Sequence, residues 1–170
     1  MDSESKSKTT ESQFLEAIAS QDVEKVKFLI DRGVDSFRFL CDFGYTPVEY
    51  AVEAGNLEIL NLLISSQFEI DWGVASNPID MAVQAGRIDL TLALLEAGLD
   101  INQIHQSADP KSNASWTILI TAVRSGHFEL VKRLIERGAD VNAFTNDGKT
   151  ALWFAANEGR QEIFNYFNHL

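Results

Sequence analysis

Residues 116–142 read WTILITAVRSGHFELVKRLIERGADVN, and this stretch decides the fold. It contains a hydroxyl residue, a short apolar segment, an Ala-x-x-x-Gly step from Ala122 to Gly126, a second apolar segment and a Gly-x-Asp turn. The second segment places Leu130, Val131, Leu134 and Ile135 on one helical face, and Gly126 stands where a first helix would end. The stretch therefore predicts two short helices joined by a tight turn.

The same unit recurs five times along the chain. Aligned at the residue five before the first-helix Ala, the copies begin at Ser12, Thr46, Asn77, Thr117 and Thr150, with spacings of 34, 31, 40 and 33 residues. A period near 33 indicates a stacked solenoid. We therefore predict an all-α repeat solenoid with a flexible polar tail at residues 1–11 and one domain at 12–170. Its repeats lie near 12–45, 46–76, 77–116, 117–149 and 150–170.

The start of each first helix carries a capping signal. Thr46 precedes Pro47 at the first helical position, and Glu49 can return a bond to the Thr46 N–H, which predicts a capping box. By the same reasoning we expect N-caps at the equivalent positions, Asn77 (with Asp80 as a shorter acid), Thr117 and Thr150. We expect the first helices to end in the left-handed conformation at Gly55, Gly86, Gly126 and Gly159, with Gln21 in that place in the first copy.

Two segments resemble the start and finish of ankyrin repeats. Residues 46–51 (TPVEYA) are similar to the family's Thr-Pro-Leu-His-x-Ala signature, and residues 138–143 (GADVNA) match its closing loop. The resemblance covers residues 12–170. It implies L-shaped units in which hairpin fingers project from stacked helix pairs. Fingers and first helices would then form a concave face, the family's usual surface for partner proteins.

The chain departs from the family pattern in its fingers. The signature His is absent, and its place is taken by Leu15, Glu49, Asp80, Ile120 and Trp153. Because that His normally ties neighbouring loops together, we expect less rigid fingers. The third finger is two residues short, whereas residues 103–115 lengthen the fourth by seven and are typical of a surface loop.

The family's contact positions can be carried over to this sequence residue by residue. The predicted partner-binding residues are Phe43, Tyr45, Tyr50, Glu53, Trp72, Met81, Gln84, Trp116, Thr121, Arg124 and Phe154; Glu16, Phe144, Lys149 and Asn157 occupy further contact positions. Aromatic residues and Met are frequent in binding hot spots, and acids would select a basic element on the partner. The alternative is that some of these aromatics fold back onto their own stack, with Trp153 packed between repeats.

No residue pattern indicates a catalytic centre, a cofactor site or a metal site. His105, His127 and His169 lie in different repeats without the spacing of metal ligands, and His127 stands where the family commonly has a structural His. Cys41 has no basic neighbour that would activate it, and a lone Cys suits a reducing compartment. The first residues lack the apolar segment of a secretion signal. We therefore expect a non-enzymatic, cytoplasmic protein.

The net charge of −11 is unevenly distributed. Residues 14–111 contain 16 acids and 6 bases, whereas residues 112–170 contain 6 of each. The resulting negative field disfavours nucleic acid and favours a protein partner with a basic surface. The alternative is that the acids serve solubility alone. No apolar run approaches the length of a membrane span.

These observations predict a monomeric interaction module that binds a partner protein through its concave face. A first alternative is an inhibitor or immunity-type protein that covers a basic enzyme. A second is a structural segment of a larger repeat scaffold, against which stand the polar residues in the outermost second helices, such as Lys25 and Asn168.

Overall fold

In a computed structural model, the chain is described at residues 10–34, 46–66, 77–106 and 115–170. These residues form ten helices and one antiparallel strand pair, which confirms the all-α class. The helices are α1 (Thr10–Ala19), α2 (Val23–Asp31), α3 (Pro47–Ala54), α4 (Leu57–Ser65), α5 (Pro78–Gln84), α6 (Ile88–Glu96), α7 (Ile118–Ser125), α8 (Phe128–Glu136), α9 (Ala151–Asn157) and α10 (Gln161–Phe167). The strands are β1 (His105–Gln106) and β2 (Ser115–Trp116), with His105 opposite Trp116.

The helices pack as two compact units, Met1–Val74 and Ala75–Leu170. In the first unit α1 packs on α2 and α3, and α4 packs on α3 and α2. In the second, α5, α7 and α9 lie side by side, and each packs on the helix that follows it. We call α1, α3, α5, α7 and α9 the inner helices and the other five the outer helices. The assignment of 12–170 to one domain stays a prediction.

Small residues on the inner helices allow this close packing. The predicted positions are almost fully buried, with relative exposures of 0 or 1% for Ala17, Ala51, Ala82, Ala122 and Ala155. Outer helix α8 buries Leu130, Val131 and Leu134 of the apolar face predicted for it, and α4 and α6 bury the equivalent residues, Ile59/Leu60/Leu63 and Leu90/Thr91/Leu94. A larger side chain at any of the alanines would push neighbouring helices apart.

Three of the four predicted N-caps form. Thr46 and Glu49 make the full capping box, Thr150 accepts the Trp153 N–H, and Asn77 accepts a backbone N–H of α5. The prediction for Thr117 is wrong, because its side chain makes no cap bond. Thr117 follows β2 directly and is 3% exposed, and its hydroxyl oxygen is buried without a hydrogen-bond partner.

Gly86 ends α5 at φ +67° and is covered by a side chain of the next repeat. A Cβ there would stand 2.7 Å from the His127 ring. The His127 Nε2 lies 2.9 Å from the Gln84 carbonyl oxygen. Since a carbonyl only accepts, Nε2 carries the proton. His127 therefore joins successive repeats, the structural role expected from its position.

Arg160 makes the same connection one repeat later. Its guanidinium donates to the Arg124 carbonyl, and it lies 3.0 Å from where a Gly126 Cβ would stand. In the first repeat, Gln21 adopts a φ of +58° without being glycine, as its position predicted. Its side-chain amide donates to the Ala54 carbonyl at 3.1 Å.

Candidate partner-binding surface

In the second unit, a continuous row of side chains runs from α7 across α9 to the finger that precedes α9. The Arg124 guanidinium lies 5.3 Å from the Phe154 ring centre, and its Nε is 3.4 Å from Glu158 Oε1. The Phe154 ring meets the Trp153 ring edge-on at 5.1 Å. The Lys149 ammonium lies 4.6 Å from the Trp153 ring centre. We call Arg124, Lys149, Trp153, Phe154 and Glu158 the α7–α9 strip.

The cations of this strip are paired with acids. Lys149 lies 2.8 Å from Asp147, and hydrogen bonds from Lys149 and then Thr145 hold the pKa of Asp147 below its ordinary value. Arg124 has Glu158 as its counterpart. The strip therefore offers aromatic surface within a locally neutral set of charges.

The finger beside the strip is a tight hairpin. An antiparallel bridge joins Phe144 to Thr150, and the Thr145 N–H donates to the Lys149 carbonyl at 2.9 Å. Phe144 is 66% exposed. Ile104, at the matching position of the preceding finger, is 62% exposed. Both fingers therefore carry a large, exposed apolar side chain.

The other predicted contact residues of the second unit differ in exposure. Gln84 is exposed, and Met81 and Trp116 are half-buried. Thr121 is only 7% exposed, and its hydroxyl faces Asp80 at 3.4 Å. Little of the Thr121 side chain is therefore accessible to a partner, and its assignment to the partner surface stays a prediction. The structure thus brings Arg124 and Phe154 together in the strip, adds Lys149 from the wider contact positions, and sets Thr121 beneath the surface.

In the first unit, Glu53 is exposed on α3 and Tyr50 is half-buried. Phe43, Tyr45 and Trp72 lie outside the described residues. Their assignment to the partner surface stays a prediction.

Sequence reasoning missed two features of the second unit. For Trp153, the sequence suggested packing between repeats as an alternative to binding. Its side chain is 40% exposed and belongs to the strip. Glu158 was not predicted, although it lies four residues after Phe154, at the C-cap of α9.

The second missed feature is a buried polar cluster where β1 meets α5. His105 is 7% exposed, and its Nδ1 lies 3.5 Å from Asp80 Oδ2 and 2.5 Å from Asn77 Nδ2. Side-chain hydrogen bonds from Thr121 and Trp116 also reach Asp80. Burial raises the pKa of Asp80 above its ordinary value, against the opposing effect of His105 and those two hydrogen bonds.

A known family matches this chain along most of its length. The sequence model for ankyrin repeats (3 copies) matches residues 14–105 and again 79–169. The chain belongs to the ankyrin-repeat family. Its inner and outer helices are thus the two helices of each ankyrin repeat, and its fingers are the loops between repeats. Ankyrin repeats generally mediate protein–protein interaction and are typically non-enzymatic.

One curated relative shares part of this ankyrin-repeat sequence. Over 55 residues, which are 32% of this chain, it is 36% identical to 2-5A-dependent ribonuclease from Mus musculus. The matched stretch is only 8% of the ribonuclease's length. The likeness therefore concerns repeats and carries no catalytic activity over to this ankyrin-repeat protein.

Two features of the described residues bear on other functions. Within 10–34, 46–66, 77–106 and 115–170, no three His, Cys, Asp or Glu side chains are grouped as metal ligands. None of the helices in these ranges has the length and apolar character needed to cross a bilayer.

Proposed function

We propose that this ankyrin-repeat protein is a non-enzymatic interaction module of the cytoplasm, which as a monomer binds a partner protein through its concave inner-helix face. The α7–α9 strip is the observation that carries this proposal. It combines one exposed and one half-buried aromatic ring with two cations and an acid, contributed by α7, by α9 with its C-cap residue, and by the finger that precedes α9. Trp and Arg are the residue types most enriched in binding hot spots.

The contacts within the strip favour binding by restraining it beforehand. Ordering a long side chain at an interface costs about 0.5–1.5 kcal/mol. Lys149 already rests on Trp153, and Arg124 is held by Phe154 and Glu158. These side chains therefore lose less conformational freedom when a partner binds.

The negative charge of residues 14–111 supports a second candidate, an inhibitor that covers the basic active site of an enzyme. The exposed Glu53 on α3 is an inner-helix acid of this region. Association led by such charges would be fast at low salt and would weaken steeply as salt rises. Association led by the strip would depend less on salt, since its own charges are already paired.

The test is affinity capture from the source organism with the wild-type protein and the Trp153→Ala variant, followed by calorimetry with the captured partner. Loss of a hot-spot Trp costs about 2 kcal/mol or more, roughly a thirtyfold weakening of Kd. The matched control is Phe28→Ala, because Phe28 is also an exposed aromatic beneath a cation, Arg32 at 4.7 Å, but lies on outer helix α2.

We expect Phe28→Ala to bind like the wild type and both variants to keep their helical circular dichroism. Equal weakening by both variants, or none by either, would place the partner surface elsewhere. A captured enzyme that this protein inhibits, with affinity falling about tenfold or more between roughly 50 and 200 mM salt, would favour the inhibitor.

A further inference from the structure

The Nδ1 atom of His105 faces two groups that make opposite demands on it. Asn77 Nδ2 lies 2.5 Å away and is a donor. Asp80 Oδ2 lies 3.5 Å away and is an acceptor. Nδ1 accepts a hydrogen bond when it carries no proton and donates one when it does. It cannot serve both neighbours at once.

The orientation of the Asn77 amide is fixed by the helix that it caps. Its Oδ1 accepts the Ile79 N–H at 3.1 Å, which turns Nδ2 toward His105. Rotating the amide would set its NH2 against the Ile79 N–H and break the cap of α5. In the neutral state, therefore, Asn77 donates to an unprotonated Nδ1.

A proton on Nδ1 reverses this arrangement. The Asn77 NH2 group and the protonated Nδ1 of His105 are then both donors, and their close approach is repulsive. The carboxylate of Asp80 becomes the favourable partner. We propose that His105 is a proton-operated switch, in which protonation moves Nδ1 from the amide of Asn77 to the carboxylate of Asp80.

The groups that surround the His105 ring determine which partner its Nδ1 takes. Among the described residues, the ionisable group that faces the ring is Asp80 from α5. Helix α7 contributes the Thr121 hydroxyl and β2 the Trp116 side chain, and both hydrogen-bond to the same carboxylate. Since Thr121 and Trp116 are uncharged, protonation of His105 changes mainly its interactions with Asp80 and Asn77. Trp116 shares that carboxylate, so its hydrogen bond changes when His105 pairs with Asp80.

The experiment is an NMR titration of the intact chain from about pH 8 to 5, following the His105 Cε1–H and the Asn77 side-chain NH2. Both signals should move with one common midpoint. In Asn77→Asp, the donor becomes an acceptor while N-capping is kept, so the proton affinity of His105 should rise at least tenfold. In Asp80→Asn it should fall several-fold.

His127 serves as an internal control, because its ring partner is the Gln84 carbonyl; its midpoint should be the same in every variant. Asn77→Ser caps α5 without an NH2 group and should also raise the proton affinity of His105, which provides a second test if Asn77→Asp folds poorly. A His105 midpoint that stays unchanged in both Asn77 variants would overturn the proposal. So would an Asn77 NH2 signal that ignores the titration of His105.

Discussion

Replacement of Gly86 by alanine tests how the repeats are joined. At φ +67° an alanine is strained by roughly 1–2 kcal/mol. Its Cβ would also stand 2.7 Å from the His127 ring, so the ring must move and its hydrogen bond to Gln84 is lost. A net hydrogen bond contributes about 0.5–1.5 kcal/mol. After subtraction of the roughly 0.4–1 kcal/mol by which alanine restricts the unfolded chain, we expect Gly86→Ala to lower the free energy of unfolding by about 0.5–3 kcal/mol.

Gly159→Ala is the matched control for this prediction. Gly159 has nearly the same φ, +69°, and no atom lies within 4 Å of the point where its Cβ would stand. Gly159→Ala should therefore lower the free energy of unfolding through backbone strain alone. In both variants, part of that strain is offset by the roughly 0.4–1 kcal/mol by which alanine restricts the unfolded chain.

Urea unfolding followed by circular dichroism measures both variants, together with His127→Ala and the double variant. The double variant should be destabilised by about 1 kcal/mol less than the sum of Gly86→Ala and His127→Ala, because the clash is absent once the ring is removed. Equal losses for Gly86→Ala and Gly159→Ala, or strict additivity with His127→Ala, would refute the close approach as the cause.

Three further outcomes are expected from unfolding experiments. Burial raises the pKa of Asp80 above its unfolded value, so the stability that it contributes is present at low pH and is lost as pH rises through the raised pKa. The wild type should therefore lose stability relative to Asp80→Asn as pH rises above the ordinary carboxyl range, and a difference that does not change with pH would contradict this. Asn102→Ala should lower the free energy of unfolding by about 1–2 kcal/mol, because its amide joins two backbone groups of the next repeat. Asn142→Ala, at the equivalent position of the following repeat, removes no such link and should lower it little. Equal losses for the two variants would contradict this. Gln21→Gly should change stability by less than about 1 kcal/mol, since relief of the left-handed backbone is offset by a lost side-chain hydrogen bond; a larger change in either direction would show that one of these effects dominates.

Features set by neighbouring residues could be predicted from the sequence. The capping box at Thr46 and Glu49 requires only residues three apart, and the left-handed turn at Gln21 follows from its place in the repeat. The period of the repeat in turn predicted the inner and outer helices, because each copy must bury the same faces.

Features set by tertiary contacts could not be predicted in the same way. Thr117 has the residue type of an N-cap, yet its burial beside β2 removes the bond that local rules predict. The approach of His105 to Asp80 joins residues 25 apart, and nothing in their spacing indicates it. The strip likewise depends on Arg124 and Glu158 from successive repeats, which lie together only once α7 and α9 are packed.

The Asp80–His105 pair also changes the meaning of the missing signature His. In the family that His, at the start of the inner helix, ties neighbouring loops. Here the helix supplies the acid at that position, and the following loop supplies the histidine. The loop in question carries the seven extra residues, and each doubling of loop length costs only about 0.6 kcal/mol in closure entropy. One net buried hydrogen bond is enough to offset that cost. In the neutral state the hydrogen bond from Asn77 to His105 holds the base of this finger, with its two-residue strands, despite the insertion; in the proposed switch, protonation would pass that role to the Asp80–His105 pair.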